Sequence, residues 1–343
     1  RFFESNYENI NKRNSNVNLA DGFNKKFWLE GAELGVISAL IIPEHGGLGG
    51  SGDDLSIIFE LIGKSLCVEP FLSSGVLSSS ILSSINKPKI DMINEIIEGK
   101  LLLSFAHTEM NNRYEDTYIE TKASITNDKW GVNGIKSFVL NGDSANKVIV
   151  SARIDGNTND KKGIGLFLVD NDKITKRSYN TIDGYRAAEL EFSNSPGELL
   201  ARDDEALRCI VKANSAGALA LSAEALGIMQ ICFDMTLDYL KTRKQFGKTV
   251  GSFQAIQHRM VDMMLEIEQV KSAVMLASST FHADEITRDK HISAAKNLVG
   301  RVGKLIAEET IQMHGGIAMT WEYSAAHYAK RLIMIDHLMG DSD

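Results

Sequence analysis

The hydrophobic period changes twice along this chain, and that change limits the available folds more than any other feature. Between residues 101 and 198 the apolar residues come in short runs, "LLLSFAHTE", "YIETKASI", "KWGVNGIKSFVLNG", "NKVIVSARI" and "GIGLFLVD", parted by Asn, Asp and Gly. Such runs read as strands joined by turns. On the N-terminal side, "FWLEGAELGVISALI", "LSIIFELIGKSLC" and "IDMINEIIEGK" carry apolar residues at helical intervals. On the C-terminal side, Phe253, Ile256, Met260, Met263, Ile267, Val270 and Val274 step by three and four, which predicts one long helix with a continuous buried stripe. Its methionines are suited to filling a core. The expected fold class is α+β and multidomain: an N-terminal helical domain (1–100), a middle β-barrel-like domain (101–198) and a C-terminal helical bundle (199–343).

Charge and composition exclude several classes of function. A formal charge of −8 argues against a basic nucleic-acid face. Cys67, Cys209 and Cys232 lie far apart without a CxxC spacing, so they read as buried thiols of a reducing compartment, and the expected location is cytoplasmic. "VISALII" is broken by Ser38 and stopped by Pro43, too short to span a bilayer, so no transmembrane segment is expected. "GGLGGSG" contains a formal GxGxxG from Gly47 to Gly52. A dinucleotide fingerprint needs a preceding strand, and helical patterns surround this one, so a tight interhelical turn is expected. His314, His327 and His337 are spaced by 13 and 10 residues, which places no metal pair on one helical turn; no metal site is expected.

Two segments of the C-terminal region carry a more specific signal: "YLKTRKQFGKTVGSFQAIQHRMVDM" at 239–263 and "QMHGGIAMTWEY" at 312–323. Together with "LGVISALIIPEHGGLGGSG", "FAHTE" and "GIKSFVLNGDSA", they resemble the acyl-CoA dehydrogenase family over essentially the whole chain. The "HTE…RYE" and "IDHLMGDSD" segments resemble its bacterial heteromeric branch, of steroid- or dicarboxylyl-CoA type. The resemblance implies FAD, an acyl-CoA substrate, an electron-transfer flavoprotein, and an oligomer in which each FAD lies between two subunits. Arg243, Gln245 and Phe246 of "RKQFG", with Gln312, Gly315 and Gly316 of "QMHGG", are implied to reach the adenosine and pyrophosphate of a neighbour's FAD. Arg suits a phosphate, and Gly lets the backbone approach closely. Thr108 and Phe138 are implied to border the flavin ring.

Desaturating an acyl thioester requires a carboxylate to take the α-proton while the flavin accepts the β-hydride. The family's two positions for that acid are both altered. Counting 27 residues on from Gln312 reaches Met339, followed by Gly340; counting back from "GIMQ" reaches Gly217, beside Ala218. Asp341 and Asp343 are the nearest substitutes on the C-terminal stretch. Around the implied substrate channel, Met110, Asn111, Asn112, Arg113, Tyr114 and Glu115 replace small residues, and Leu140 stands where the family offers a Thr hydroxyl. The leading expectation is an acyl-CoA dehydrogenase-type subunit that lacks its own base and works with a homologous partner, as in a heterotetramer. The alternatives are a homo-oligomer with Asp341 as a relocated base, and a flavin-free assembly protein of the same fold.

Overall fold

The computed structural model describes residues 2–342. N-terminal helices come first, then a β-sheet domain, then C-terminal helices. The first region holds α1 (Phe2–Asn6), α2 (Ile10–Val17), α3 (Lys25–Glu33), α4 (Gly52–Ser65), a π-helical turn at Phe71–Ser78, α5 (Ser79–Ser84) and α6 (Ile90–Ile97). Strands follow: β1 (Leu103–Ala106), β2 (Lys122–Thr126), β3 (Lys129–Leu140), β4 (Lys147–Arg153), β5 (Ile164–Asp170), β6 (Thr175–Asn180) and β7 (Arg186–Arg202). The chain ends with α7 (Asp203–Thr242), a hairpin of β8 (Lys244–Gln245) and β9 (Lys248–Thr249), α8 (Gln254–Ser279), α9 (Glu285–His314) and α10 (Ala325–Asp336).

In space the chain forms two compact units, with α7 running from one into the other. One gathers the described residues of 1–16, 51–67 and 218–343; the other gathers 17–50 and 68–217.

The second unit is built on the sheet. Its pairings close on themselves: β2 with β3, β3 with β7, β7 with β5, β5 with β4, and β4 back to β2 through Arg153 and Lys122. Closure pairs the strands of this ring on both sides, leaving β1 and β6 as the edges, and the interior is filled by Val132, Val139, Val148, Val150, Phe167, Val169 and Leu190. β1 pairs in parallel with β4, and β6 pairs with β7 outside this ring. Asn194 and Pro196, residue types common in turns, lie inside the 17-residue β7. Asn194 takes a left-handed φ of 51°, a local irregularity that a strand next to a register shift tolerates. Among the described residues no strand precedes β1, so the GxGxxG match has no βαβ setting. Gly47 instead lets the backbone press on Ile41, where an added Cβ would lie 1.8 Å from the carbonyl oxygen.

The first unit is helical. A reciprocal capping box starts α4: the Ser51 hydroxyl accepts from the Asp54 N–H, and the Asp54 carboxylate accepts from the Ser51 N–H. Glycines then allow very close helix crossings. A Cβ at Gly63 would meet the Glu224 carbonyl oxygen at 2.0 Å, and one at Gly227 would meet that of Glu60 at 2.1 Å. A buried bidentate pair, Arg331 Nε to Glu224 Oε1 at 2.6 Å and Nη2 to Oε2 at 2.8 Å, links α10 to α7. The apolar stripe of α8 is buried at Met260, Met263, Ile267, Val270 and Val274, whereas Phe253, which caps the helix, and Ile256 in its first turn are only half-buried. By length and composition α7 could cross a membrane, but 83% of its most apolar window is buried inside the protein, as in a core helix.

Candidate cofactor and active site

In the helical unit, the "RKQFG" and "QMHGG" segments occupy the ends of two helices that meet. α7 stops at Thr242, and the Arg243 N–H donates to the Tyr239 carbonyl at 2.8 Å as the chain turns out. The hairpin that follows turns through Phe246 (φ 53°) and Gly247 (φ 81°), both left-handed, as a two-residue hairpin turn requires. Phe246 holds that left-handed backbone while 91% exposed, its ring meeting that of Phe253 edge-on at 6.4 Å between centroids. Arg243, Gln245 and Gln312 are exposed, and Arg243 forms no ion pair among the described residues.

α9 ends at His314, and Gly315 caps it by donating its N–H to the Ile311 carbonyl. Its φ of 68° with ψ of −147° is a conformation essentially restricted to glycine. A Cβ at Gly315 or Gly316 would meet nothing within 4 Å, so the backbone faces open space. The two helix ends are joined by rings: His314 lies 4.6 Å from Tyr239 and 5.2 Å from Tyr323, centroid to centroid. Burial holds the His314 imidazole below its ordinary pKa. One surface therefore carries an uncompensated guanidinium, two amides, an exposed aromatic ring and open glycine backbone. This donor set fits a dinucleotide with an anionic pyrophosphate.

The segment in which the resemblance implies a catalytic acid lies just past α10. Met339 is half-buried with a left-handed φ of 54°, and Gly340 follows at 106°. The segment is clamped from α9. Lys296 Nζ donates to the Asp336 carbonyl at 3.2 Å and to that of Gly340 at 2.6 Å, while Asn297 Nδ2 donates to the Ser342 carbonyl at 2.9 Å. Ser342 Oγ closes the turn by donating to Asp336 Oδ2 at 3.1 Å. Gly300 makes room, since a Cβ there would lie 1.9 Å from Asp336 Oδ1. Burial pulls the Lys296 ammonium down to about 8, and the carboxylates of Asp336 and Asp341 oppose that fall. Asp341 thus faces a buried cation. Asp343 lies outside the described residues.

In the sheet unit, Thr108 is exposed just beyond β1, and Phe138 sits in the register shift of β3 with a φ of 51°. The Ser137 N–H donates to the Thr108 carbonyl at 3.0 Å and ties the two segments together. Beneath them is a polar cluster that sequence reading missed: Lys136, fully buried, donates to Glu109 Oε1 at 2.6 Å. Gly217 is buried within α7 and offers no carboxylate. One turn earlier, Asn214 Nδ2 donates to Asp116 Oδ1 at 2.6 Å, which brings an acid to this stretch of helix. The loop bearing Asp116 is knotted by Asn112, which donates to the carbonyls of Glu115 and Tyr118 and accepts from the Glu115 N–H.

Comparison with known proteins decides the family. The chain matches the family described as "Acyl-CoA dehydrogenase, C-terminal domain" over residues 207–342, and "Acyl-CoA dehydrogenase, middle domain" over 104–195. It is 30% identical to the probable acyl-CoA dehydrogenase YngJ of Bacillus subtilis, over 85% of this chain and 80% of that protein. The chain belongs to the acyl-CoA dehydrogenase family. These are FAD-binding oxidoreductases. Another acyl-CoA dehydrogenase relative, IpdE2 of Mycolicibacterium smegmatis, is 28% identical over 93% of this chain and 85% of its own. The solved ChsE4-ChsE5 complex of Mycobacterium tuberculosis shares the fold, with a TM-score of 0.87 at 20% identity, covering 99% of this chain and 91% of that one.

Proposed function

We propose that this chain is the base-lacking subunit of an unlike pair that α,β-desaturates an acyl-CoA thioester. One observation carries the reading. The helix ends bearing Arg243, Gln245, Phe246, Gln312, Gly315 and Gly316 are assembled around Tyr239 and His314, whereas the acid position is held by Met339 in a well-anchored turn. FAD, when bound, supplies the hydride acceptor. Here Arg243 neutralises pyrophosphate charge, Gln245 and Gln312 offer amides, and Phe246 packs beside the cofactor held on a homologous partner's β domain. The partner supplies the carboxylate that takes the α-proton.

Two observations speak against the other readings. Lys296 places a buried ammonium beside Asp341, and a carboxylate so compensated is a poorer base for a homo-oligomeric enzyme. An assembly module without flavin has no use for an exposed Phe246 in strained backbone. The ChsE4-ChsE5 likeness supports a two-component assembly. The reading extends to an electron-transfer flavoprotein as the reoxidant and to a cytoplasmic location, and it retains the chain-order domains 1–100, 101–198 and 199–343. Arg243→Ala in the assembled pair tests it: a charge-assisted contact contributes about 1.5–3 kcal/mol, so flavin retention at limiting FAD falls roughly tenfold or more. Unchanged flavin content in that variant contradicts the assignment.

A further inference from the structure

We propose that Lys136 is a positioning residue for the flavin-facing edge of the β domain, and that it fixes His107 beside that edge as the neutral Nε2–H tautomer. The inference goes beyond the proposed function: it takes Thr108 and Phe138, which the resemblance implies border a flavin ring, as contacts of a flavin held by this chain's own β domain.

An ammonium has three protons to donate, and Lys136, buried in β3, has three acceptors: the His107 carbonyl at 3.1 Å, Glu109 Oε1 at 2.6 Å and Ser151 Oγ at 3.0 Å. With Lys136 donating to it, Ser151 must send its own proton elsewhere. The acceptor at hand is His107 Nδ1, 2.9 Å away. A proton on Nδ1 would leave the Ser151 hydroxyl proton without an acceptor among the described residues, and Nε2 would stay unpartnered in either case. The arrangement with fewer unsatisfied groups places the proton on Nε2. The His107 ring lies parallel to Phe105, 5.6 Å between centroids, which holds its plane.

The same contacts explain what the cluster positions. The two residues that Lys136 grips, His107 and Glu109, flank Thr108 on both sides. Lys136 is itself two residues before Phe138, and Ser137 between them donates to the Thr108 carbonyl. Glu109 is anchored further by the N–H groups of Glu120 at 2.6 Å and Thr121 at 3.0 Å. One buried ammonium therefore fixes the spacing of the Thr108 and Phe138 segments, which neither an apolar residue nor a solvated lysine at 136 would do.

The test combines a nuclear and an optical readout. The chain is labelled with 15N-histidine, His107 is assigned through His107→Gln, and its tautomer is read at pH 7 from two-bond 15N–1H correlations. Flavin retention and the fine structure of the visible flavin band are measured on the chain assembled with its partner. The wild type is expected to show Nε2–H. Lys136→Met is expected to give mixed tautomers, about tenfold weaker flavin retention and a blurred band. Because a lone buried Glu109 endangers folding, Lys136→Met/Glu109→Gln removes both charges while leaving an acceptor for the backbone N–H groups, and the same shifts are expected. An Nδ1–H tautomer in the wild type overturns the proposal, as does a folded double variant with unchanged tautomer and flavin band. A tautomer that moves while the flavin stays put also overturns the positioning role. It leaves intact the reading of an unlike pair, which is judged separately by turnover with and without the partner.

Discussion

The ring of Tyr239, at the end of α7, lies 4.6 Å from that of His314, at the end of α9, and this contact joins two motifs separated by about seventy residues of chain. Arg243 leaves the helix four residues after Tyr239, and Gly315 follows directly on His314. His314 is fixed from behind, its Nδ1 lying 2.8 Å from the Thr310 carbonyl. Burial keeps the imidazole below its ordinary pKa.

Tyr239→Leu keeps apolar bulk but loses the ring pair. Such pairs contribute about 0.5–1.5 kcal/mol beyond area burial. A stability loss of that size by urea titration is expected, with weaker FAD retention in the assembled pair. Full flavin retention would separate this contact from the cofactor site.

The close crossing of α4 and α7 predicts intolerance of even one added carbon. In Gly227→Ala the new Cβ meets the Glu60 carbonyl oxygen, 2.1 Å away on present geometry. Overpacking typically costs about 1–3 kcal/mol, and here the obstacle is backbone. Loss near the top of that range should appear in the denaturation midpoint; a neutral result would show that the helices move apart freely.

Acid should weaken the β domain early. Burial and the neighbouring Lys136 push the His107 imidazole down to about 3, while in the unfolded chain it protonates near 6.5. Between those values the unfolded state binds the extra proton, so stability falls as pH drops from about 6.5, by up to about 1.4 kcal/mol per pH unit. Glu109, held below its ordinary pKa by the attraction of Lys136 and its hydrogen bonds despite burial, adds a loss with the same sign once the pH falls below the usual carboxylate range. His107→Phe should flatten the slope between pH 6 and 5 in urea titrations. An unchanged slope there would assign the acid sensitivity to other groups.

Legibility in the sequence followed the range of the physics. β1 to β5 and α8 were readable because alternation and three-to-four spacing are local signals. β7 lies outside the alternating runs, and only pairing with β3 and β5 holds Asn194, Pro196 and Gly197 extended. Met339 at the expected acid position could be reached by counting from Gln312, whereas the Lys296 clamp around that segment could not be read, since nothing local marks that lysine as buried. Lys136 and Glu109 are 27 residues apart and polar, and only closure of the barrel shows them as one buried pair.

If this chain carries the cofactor grip without a general base, turnover by the purified wild-type chain must depend on its partner subunit. A positioned base contributes roughly 10²–10⁴-fold. Negligible acyl-CoA dehydrogenation is expected from the chain alone and full activity on adding the partner, with no dependence of that activity on Asp341 or Asp116 when either is changed to Asn. Robust turnover by the chain alone, abolished by Asp341→Asn or Asp116→Asn, would contradict it and identify that carboxylate as the base.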